Sequence, residues 1–101
     1  MKMYRHGDIL IQEIESIPAD AVEQSHSIIA EGKVTGHAHR LHSGVILEDD
    51  KGNMFVKVPE GKIGVLTHEE HNRVELPASY YIAIRQREYD PYRNVVRQVA
   101  D

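Results

Sequence analysis

The segment GVILEDDKGNMFVKV, residues 44–58, decides the fold. Two short runs of β-branched and aromatic residues flank Asp49-Asp50-Lys51-Gly52-Asn53, and that composition marks a tight hairpin turn. On the returning run, MFVKVPE (54–60), Met54, Val56 and Val58 fall on one face at the two-residue period of a strand.

The same grammar repeats outward. DILIQEI (8–14) reads as a strand, and SIIAEGKV (27–34) as a strand followed by a turn at Gly32. TGHAHRL (35–41), SYYIAIRQREY (79–89) and NVVRQVA (94–100) read as further strands, with turns at EGKIG (60–64) and DPYRN (90–94). In SYYIAIRQREY, Tyr80, Ile82 and Ile84 are the expected core face, and Tyr81, Ala83, Arg85, Arg87 and Tyr89 the outer one. IPADAVEQ (17–24) is a loop or a short helical turn started by Pro18, and VLTHEEHNRVELP (65–77) fits either period. No segment sustains a helical repeat. The expectation is an all-β fold, one small domain over residues 1–101, built as a β-barrel or sandwich with at most a short helical turn.

Composition narrows the function. The 101 residues contain no cysteine, which removes disulfides and thiolate metal sites. A net charge of −4 argues against a general nucleic-acid coat protein but leaves room for a local basic patch. The N-terminus is charged throughout and no apolar run approaches membrane length, so the expected setting is cytoplasmic, with no membrane partner. Small β domains often pair, and a homodimer is the default expectation.

The seven histidines carry the chemistry. His37 and His39 share a strand face about 6.6 Å apart, close enough to converge on one ion. Chance alone gives about half an H-x-H pair in a chain of this composition, so the pair needs support from elsewhere. His42 reads as a surface residue. His68 and His71, in THEEHN (67–72), share a face only on a helical turn. Asn72 stands where the zincin motif requires histidine. Glu69 and Glu70 between them are candidate general bases or partners of imidazole N–H groups. His37, His39, His68 and His71 are therefore the candidate ligands of a divalent metal such as Mn, Zn, Fe or Ni, provided the two clusters meet. Arg85 and Arg87 share a face and suit a phosphate; Arg40 is a further candidate for substrate binding, and Tyr89 a candidate for assisting a leaving group.

Two resemblances follow from these motifs. The order Gly36, His37, His39, Glu48, Pro59-Glu60-Gly61, His68 resembles that of small cupin barrels, although Glu48 and His68 lie farther along than cupin spacing places them. The order GHAHR, LTHEEH, LP and QREY, with Gly7-Asp8 ahead of it, resembles a family of small bacterial proteins of unknown activity, from about Glu31 to Asp101. That resemblance implies Gly36, His37, His39, Arg40, His68, Glu69, Glu70, His71, Gln86, Arg87, Glu88 and Tyr89 as shared positions, and leaves out His6, His26 and His42. Here Ala78-Ser79 replaces the Pro-Gly that usually follows its LP turn.

The expected function is a metal-dependent hydrolase of phosphodiester bonds, with an RNA or nucleotide substrate. Glu69 or Glu70 would act as base, Arg87 would hold the phosphate and Tyr89 would assist departure. The alternatives are metal-free acid–base cleavage of RNA by a histidine pair, a cupin-like metalloenzyme or small-molecule sensor, and a non-enzymatic interaction module with surface histidines.

Overall fold

A computed structural model describes residues 2–31, 36–85, 88–90 and 95–97. The expected turn at Gly32 and two candidate site residues of the last long strand, Gln86 and Arg87, lie outside them, as does the side chain of Tyr89. The strands are β1 (Met3–His6), β2 (Ile9–Ile14), β3 (Val22–Glu23), β4 (Ile28–Glu31), β5 (Ala38–His42), β6 (Val45–Glu48), β7 (Met54–Val58), β8 (Gly64–Thr67), β9 (Val74–Leu76), β10 (Ser79–Arg85), β11 (Glu88–Asp90) and β12 (Val95–Arg97). The fold is all-β, and among the described residues no helix is long and apolar enough to cross a membrane.

Two larger antiparallel sheets form a sandwich. One runs β1-β2-β10-β7-β6-β3 and the other β4-β5-β8-β9; β11 and β12 pair as a separate ribbon. Both sheets end in open edges, so the barrel alternative is not the form adopted. The inner face of the first contributes Ile9, Ile11, Ile46, Val56, Val58 and Tyr81 to the core, and the second contributes Ile29, Leu41, Leu66 and Leu76. Each such buried side chain contributes about 1.5–3 kcal/mol relative to exposure.

The hairpin that announced the fold forms as read. β6 and β7 pair from Val45↔Lys57 to Glu48↔Met54. Asp49 organises the turn: its carboxylate accepts the backbone N–H of Lys51 at 3.0 Å and of Asn53 at 2.8 Å. Gly52 takes the left-handed φ of 84° that its place in the turn requires. The ambiguous stretch 65–77 resolves into a second hairpin, with β8 and β9 paired from Gly64↔Leu76 to Leu66↔Val74 and His68–Arg73 as its connection. Residues 17–24 form a turn closed by the Ala21 N–H on the Pro18 carbonyl, then β3, with no helical turn.

One face assignment is reversed. On β10 the buried residue is Tyr81, 1 % exposed, while Tyr80 and Ile84 are 38 % and 40 % exposed. Tyr81 pairs with Val56, whose side chain is fully enclosed, and meets the Tyr4 ring edge-on at 6.1 Å. Its hydroxyl donates to the Pro77 carbonyl, which removes the polar cost of burying a tyrosine. Burial pushes its pKa up to about 12, with Tyr4 and Glu13 adding to the shift. Alternation then turns Ala83 and Arg85 inward, and the inward Arg85 matters to the site.

The reversed face has a measurable consequence. Tyr81→Ala is expected to lower unfolding free energy by about 3–5 kcal/mol and Tyr80→Ala by about 1 kcal/mol or less, read by urea denaturation. Equal losses would contradict the assignment.

Candidate functional site

Five histidine rings gather at one end of the sandwich, and period-two alternation places three of them, His6, His39 and His68. His39 follows the inward parity of Leu41 on β5, and His68 that of Leu66 on β8. The β5–β8 register ends at Arg40↔Thr67, so His39 and His68 come next to one another just beyond it. Their ring centres are 4.4 Å apart. His71, in the connection after β8, lies 4.5 Å from His68 and 5.9 Å from His39, and His37 lies 5.5 Å from His68. GHAH and HEEH therefore meet.

The fifth ring comes from the other sheet. His6 ends β1, opposite Ile9 of β2, and shares the inward parity of Tyr4. Its ring centre is 4.9 Å from His39 and 5.9 Å from His71. The two Nδ1 atoms of His6 and His39 stand 2.9 Å apart, with both residues only 2 % exposed. Sequence reasoning left His6 aside. The available signal was Tyr4 and His6 two apart, before a Gly-Asp turn and an apolar strand, which is the pattern of a hairpin arm with one face inward.

Gly7 and Asp8 form that two-residue turn. Only Gly7 has positive φ, 63°, as the II′ hairpin pattern requires. A methyl group on Gly7 would sit 2.7 Å from His71 Nε2 and 3.0 Å from His39 Cε1, so the missing side chain is what lets the rings close over the turn. Asp8, 8 % exposed, points its carboxylate inward. Its Oδ1 lies 3.2 Å from His39 Nε2, and its Oδ2 accepts Arg85 Nε–H at 3.1 Å. Arg85 also reaches the Glu31 carbonyl of β4 at 3.4 Å. Asp8 Oδ1, His39 Nε2 and His6 Nε2 are buried without a well-formed hydrogen bond.

The electrostatics keep the two buried rings neutral. Burial lowers the pKa of His39 to about 4; His68, His6 and His71 push the same way, and only Asp8 opposes them. Burial likewise lowers His6, with His71 and His68 adding to the effect and the Asn72 backbone opposing it. Tautomers follow from contacts. The Glu70 N–H donates to His68 Nδ1 at 3.0 Å, so a neutral His68 carries its proton on Nε2.

The remaining candidates fall around this centre. Glu69 accepts the Ala38 N–H at 3.0 Å and lies 3.5 Å from Arg40; the Ala38 contact, above all, holds its carboxyl below the usual range. Glu70 stands 3.6 Å from His37 and is largely exposed. Arg40 follows the outward parity of β5, beside a cleft of about 260 Å³ that it lines with Ala38, Thr67, His68 and Glu69. Arg85 faces Asp8 rather than outward, and its expected partner Arg87 lies outside the described residues. His42 bonds Thr67 at 3.0 Å and His26 sits near Glu48, both away from the centre. Among the described residues, no group of three or more histidine, aspartate or glutamate side chains is placed so that it could hold a metal ion without the rings turning.

Two outcomes follow. Gly7→Ala is expected to cost about 1–3 kcal/mol of stability through overpacking against His71, measured by denaturant melts. In chelator, unfolding free energy is expected to be highest above pH 6.5 and to fall as pH drops toward 4. The unfolded chain takes up protons on His39 and His6 at a pH where the folded chain still refuses them. His39, whose pKa burial lowers to about 4, contributes to that loss together with His6, and His39→Gln is expected to flatten the profile.

Comparison with curated proteins finds no match, and comparison with solved structures finds none. A family model described as Domain of unknown function (DUF8820) matches residues 5–86. That span begins just before His6 and closes just after Arg85, and the chain belongs to this family.

Proposed function

We propose that the histidine centre holds a divalent transition metal and that the chain is a metal-dependent hydrolase of phosphodiesters. The observation that carries the reading is the buried contact of two neutral imidazoles through their Nδ1 atoms, 2.9 Å apart. Two lone pairs cannot face each other at that distance, so one ring donates its Nδ1–H to the other. An ion held by both nitrogens would replace that proton and lie to one side of the line between them, at about 2.0–2.1 Å from each. Neutral imidazole is the ligating form, and a nitrogen-rich set with one nearby carboxylate suits Zn, Fe, Ni or Mn. His6 and His39 would hold the ion through Nδ1, with His71 as the third side chain. The ion would supply a polarised phosphoryl oxygen or an activated water.

The chain's own groups supply the rest. His68 belongs both to the ring cluster and to the cleft lined by Arg40. A phosphodiester entering there meets the Arg40 guanidinium, which exchanges Glu69 for a phosphate oxygen. Hydrolysis consumes one water: its oxygen bonds to phosphorus, the ester P–O bond breaks, and the proton given up by the water ends on the leaving oxygen, beside which the neutral His68 ring offers its Nε2–H as a hydrogen-bond donor. Glu69, clamped by Ala38, fixes the cleft wall beside His68 and is not needed as the base.

The test uses protein prepared without a histidine tag, its metal content read by elemental mass spectrometry, and a bis(4-nitrophenyl) phosphate and short oligoribonucleotide assay with added Mn, Zn, Fe or Ni. About one metal per chain is expected, lost in His6→Ala and His39→Ala, with cleavage reduced at least about 100-fold. Absence of cleavage with every metal would refute the hydrolase. Cleavage that survives a strong chelator would transfer the chemistry to the His6–His39 pair as acid and base.

A further inference from the structure

Arg85, Asp8 and His39 form a line of contacts that the hydrolytic scheme does not use. Arg85 Nε–H donates to Asp8 Oδ2 at 3.1 Å, Asp8 Oδ1 lies 3.2 Å from His39 Nε2, and His39 Nδ1 lies 2.9 Å from His6 Nδ1. The Asp8 and His39 side chains are 5 % and 2 % exposed, so water does not substitute for either contact. The Asp8 Oδ1–His39 Nε2 contact lies off the line of a well-formed hydrogen bond, but a buried carboxylate oxygen 3.2 Å from a ring nitrogen repels a lone pair there and favours an N–H. From this geometry we infer that Asp8, anchored by Arg85, is a positioning residue that biases the His39 tautomer to carry its proton on Nε2 and leaves the Nδ1 lone pair toward His6. Asp8 is thus not a ligand.

The inference rests on the metal reading for its purpose, though not for its geometry. A ligating imidazole has one lone pair to offer. A carboxylate on the opposite nitrogen determines which nitrogen offers it and makes that nitrogen more basic, and losing such a partner typically weakens metal binding about 10–100-fold. Asp8 has two oxygens and Arg85 occupies one of them, leaving a single oxygen directed at His39. The placement needs both sheets: β10 brings Arg85, the β1–β2 turn brings Asp8, and β5 of the opposite sheet brings His39. Arg85 extends the brace to the Glu31 carbonyl on β4, so both ends of the line are tied across the sandwich. A surface pair would not do this; one partner here is almost wholly buried, and the other reaches it from the same inward face as Tyr81.

Two measurements test it. In chelated wild-type protein, a long-range ¹H–¹⁵N spectrum of the histidine rings is expected to show His39 protonated on Nε2 and bare on Nδ1. A proton on Nδ1 overturns the inference whatever the metal does. In a Co²⁺ titration followed by its visible absorption, Asp8→Ala is expected to bind about 10–100-fold more weakly than wild type, with a changed band shape, and Asp8→Glu to recover part of the loss. Unchanged affinity and spectrum overturn it. If Asp8→Ala fails to fold, Arg85→Gln, which frees the carboxylate from its anchor, is expected to weaken Co²⁺ binding several-fold, and unchanged affinity again overturns the inference. Wild-type protein with the expected tautomer but no Co²⁺ binding refutes the metal reading and leaves Asp8 as the residue that sets the tautomer.

Discussion

The contact between His6 and His39 is one of the places, with Asp8–His39 and Arg85 on the Glu31 carbonyl, where the two sheets of this sandwich are joined by polar atoms rather than by aliphatic packing. Each ring comes from a different sheet, each is 2 % exposed, and neither carries a charge near neutral pH. Burying such groups is unfavourable unless their hydrogen-bonding capacity is met, and here it is met only in part. An apolar pair at these positions would pack at lower cost. A chain this short has little stability to spare, so two buried histidine rings with three half-buried ones beside them are an unfavourable choice for folding alone.

Much of the surrounding geometry follows from that contact. The β1–β2 hairpin turns on Gly7 without a side chain, because any Cβ there would strike His71 and His39. Asp8, the other turn residue, turns inward to His39 and Arg85 instead of outward to water, where an aspartate in a hairpin turn normally points. On the opposite sheet, Glu69 reaches back 31 positions to the Ala38 N–H and ties the connection after β8 to the start of β5. Both histidine motifs are thereby held by backbone contacts of their neighbours.

How much of this was legible differs by scale. The β grammar was readable from the Asp49–Asn53 turn and the alternating runs beside it, because turn chemistry and period two are local properties. The face of β10 was not: Tyr80-Tyr81-Ile82 offers similar side chains to both sides, and the choice was made by the Tyr81 hydroxyl reaching Pro77 and by the Val56 partner on β7, neither of which is local. That reversal mattered, since it turned Arg85 inward to Asp8. GHAH and HEEH were visible as clusters, and their meeting depended on the β5–β8 register. His6 and Asp8 were missed because motif density drew attention to residues 37–42 and 67–72, while one histidine on a short edge strand carries no density at all.

Charge gives the last constraint. The chain is acidic overall, at −4, which disfavours an anionic substrate at long range. Around the centre the balance is different. Asp8 is matched by Arg85, and His6 and His39 are held neutral, so this buried group of side chains contributes almost no charge of its own. A divalent ion placed among neutral imidazoles keeps its full double charge, which carboxylate ligands would have cancelled. Inside a poorly solvated pocket that charge is weakly screened, whereas the surface carboxylates act through water and salt. On the proposed metal reading, an ion among these neutral rings would attract a phosphate over the last few ångströms, while the surface carboxylates would reject an extended nucleic acid at a distance.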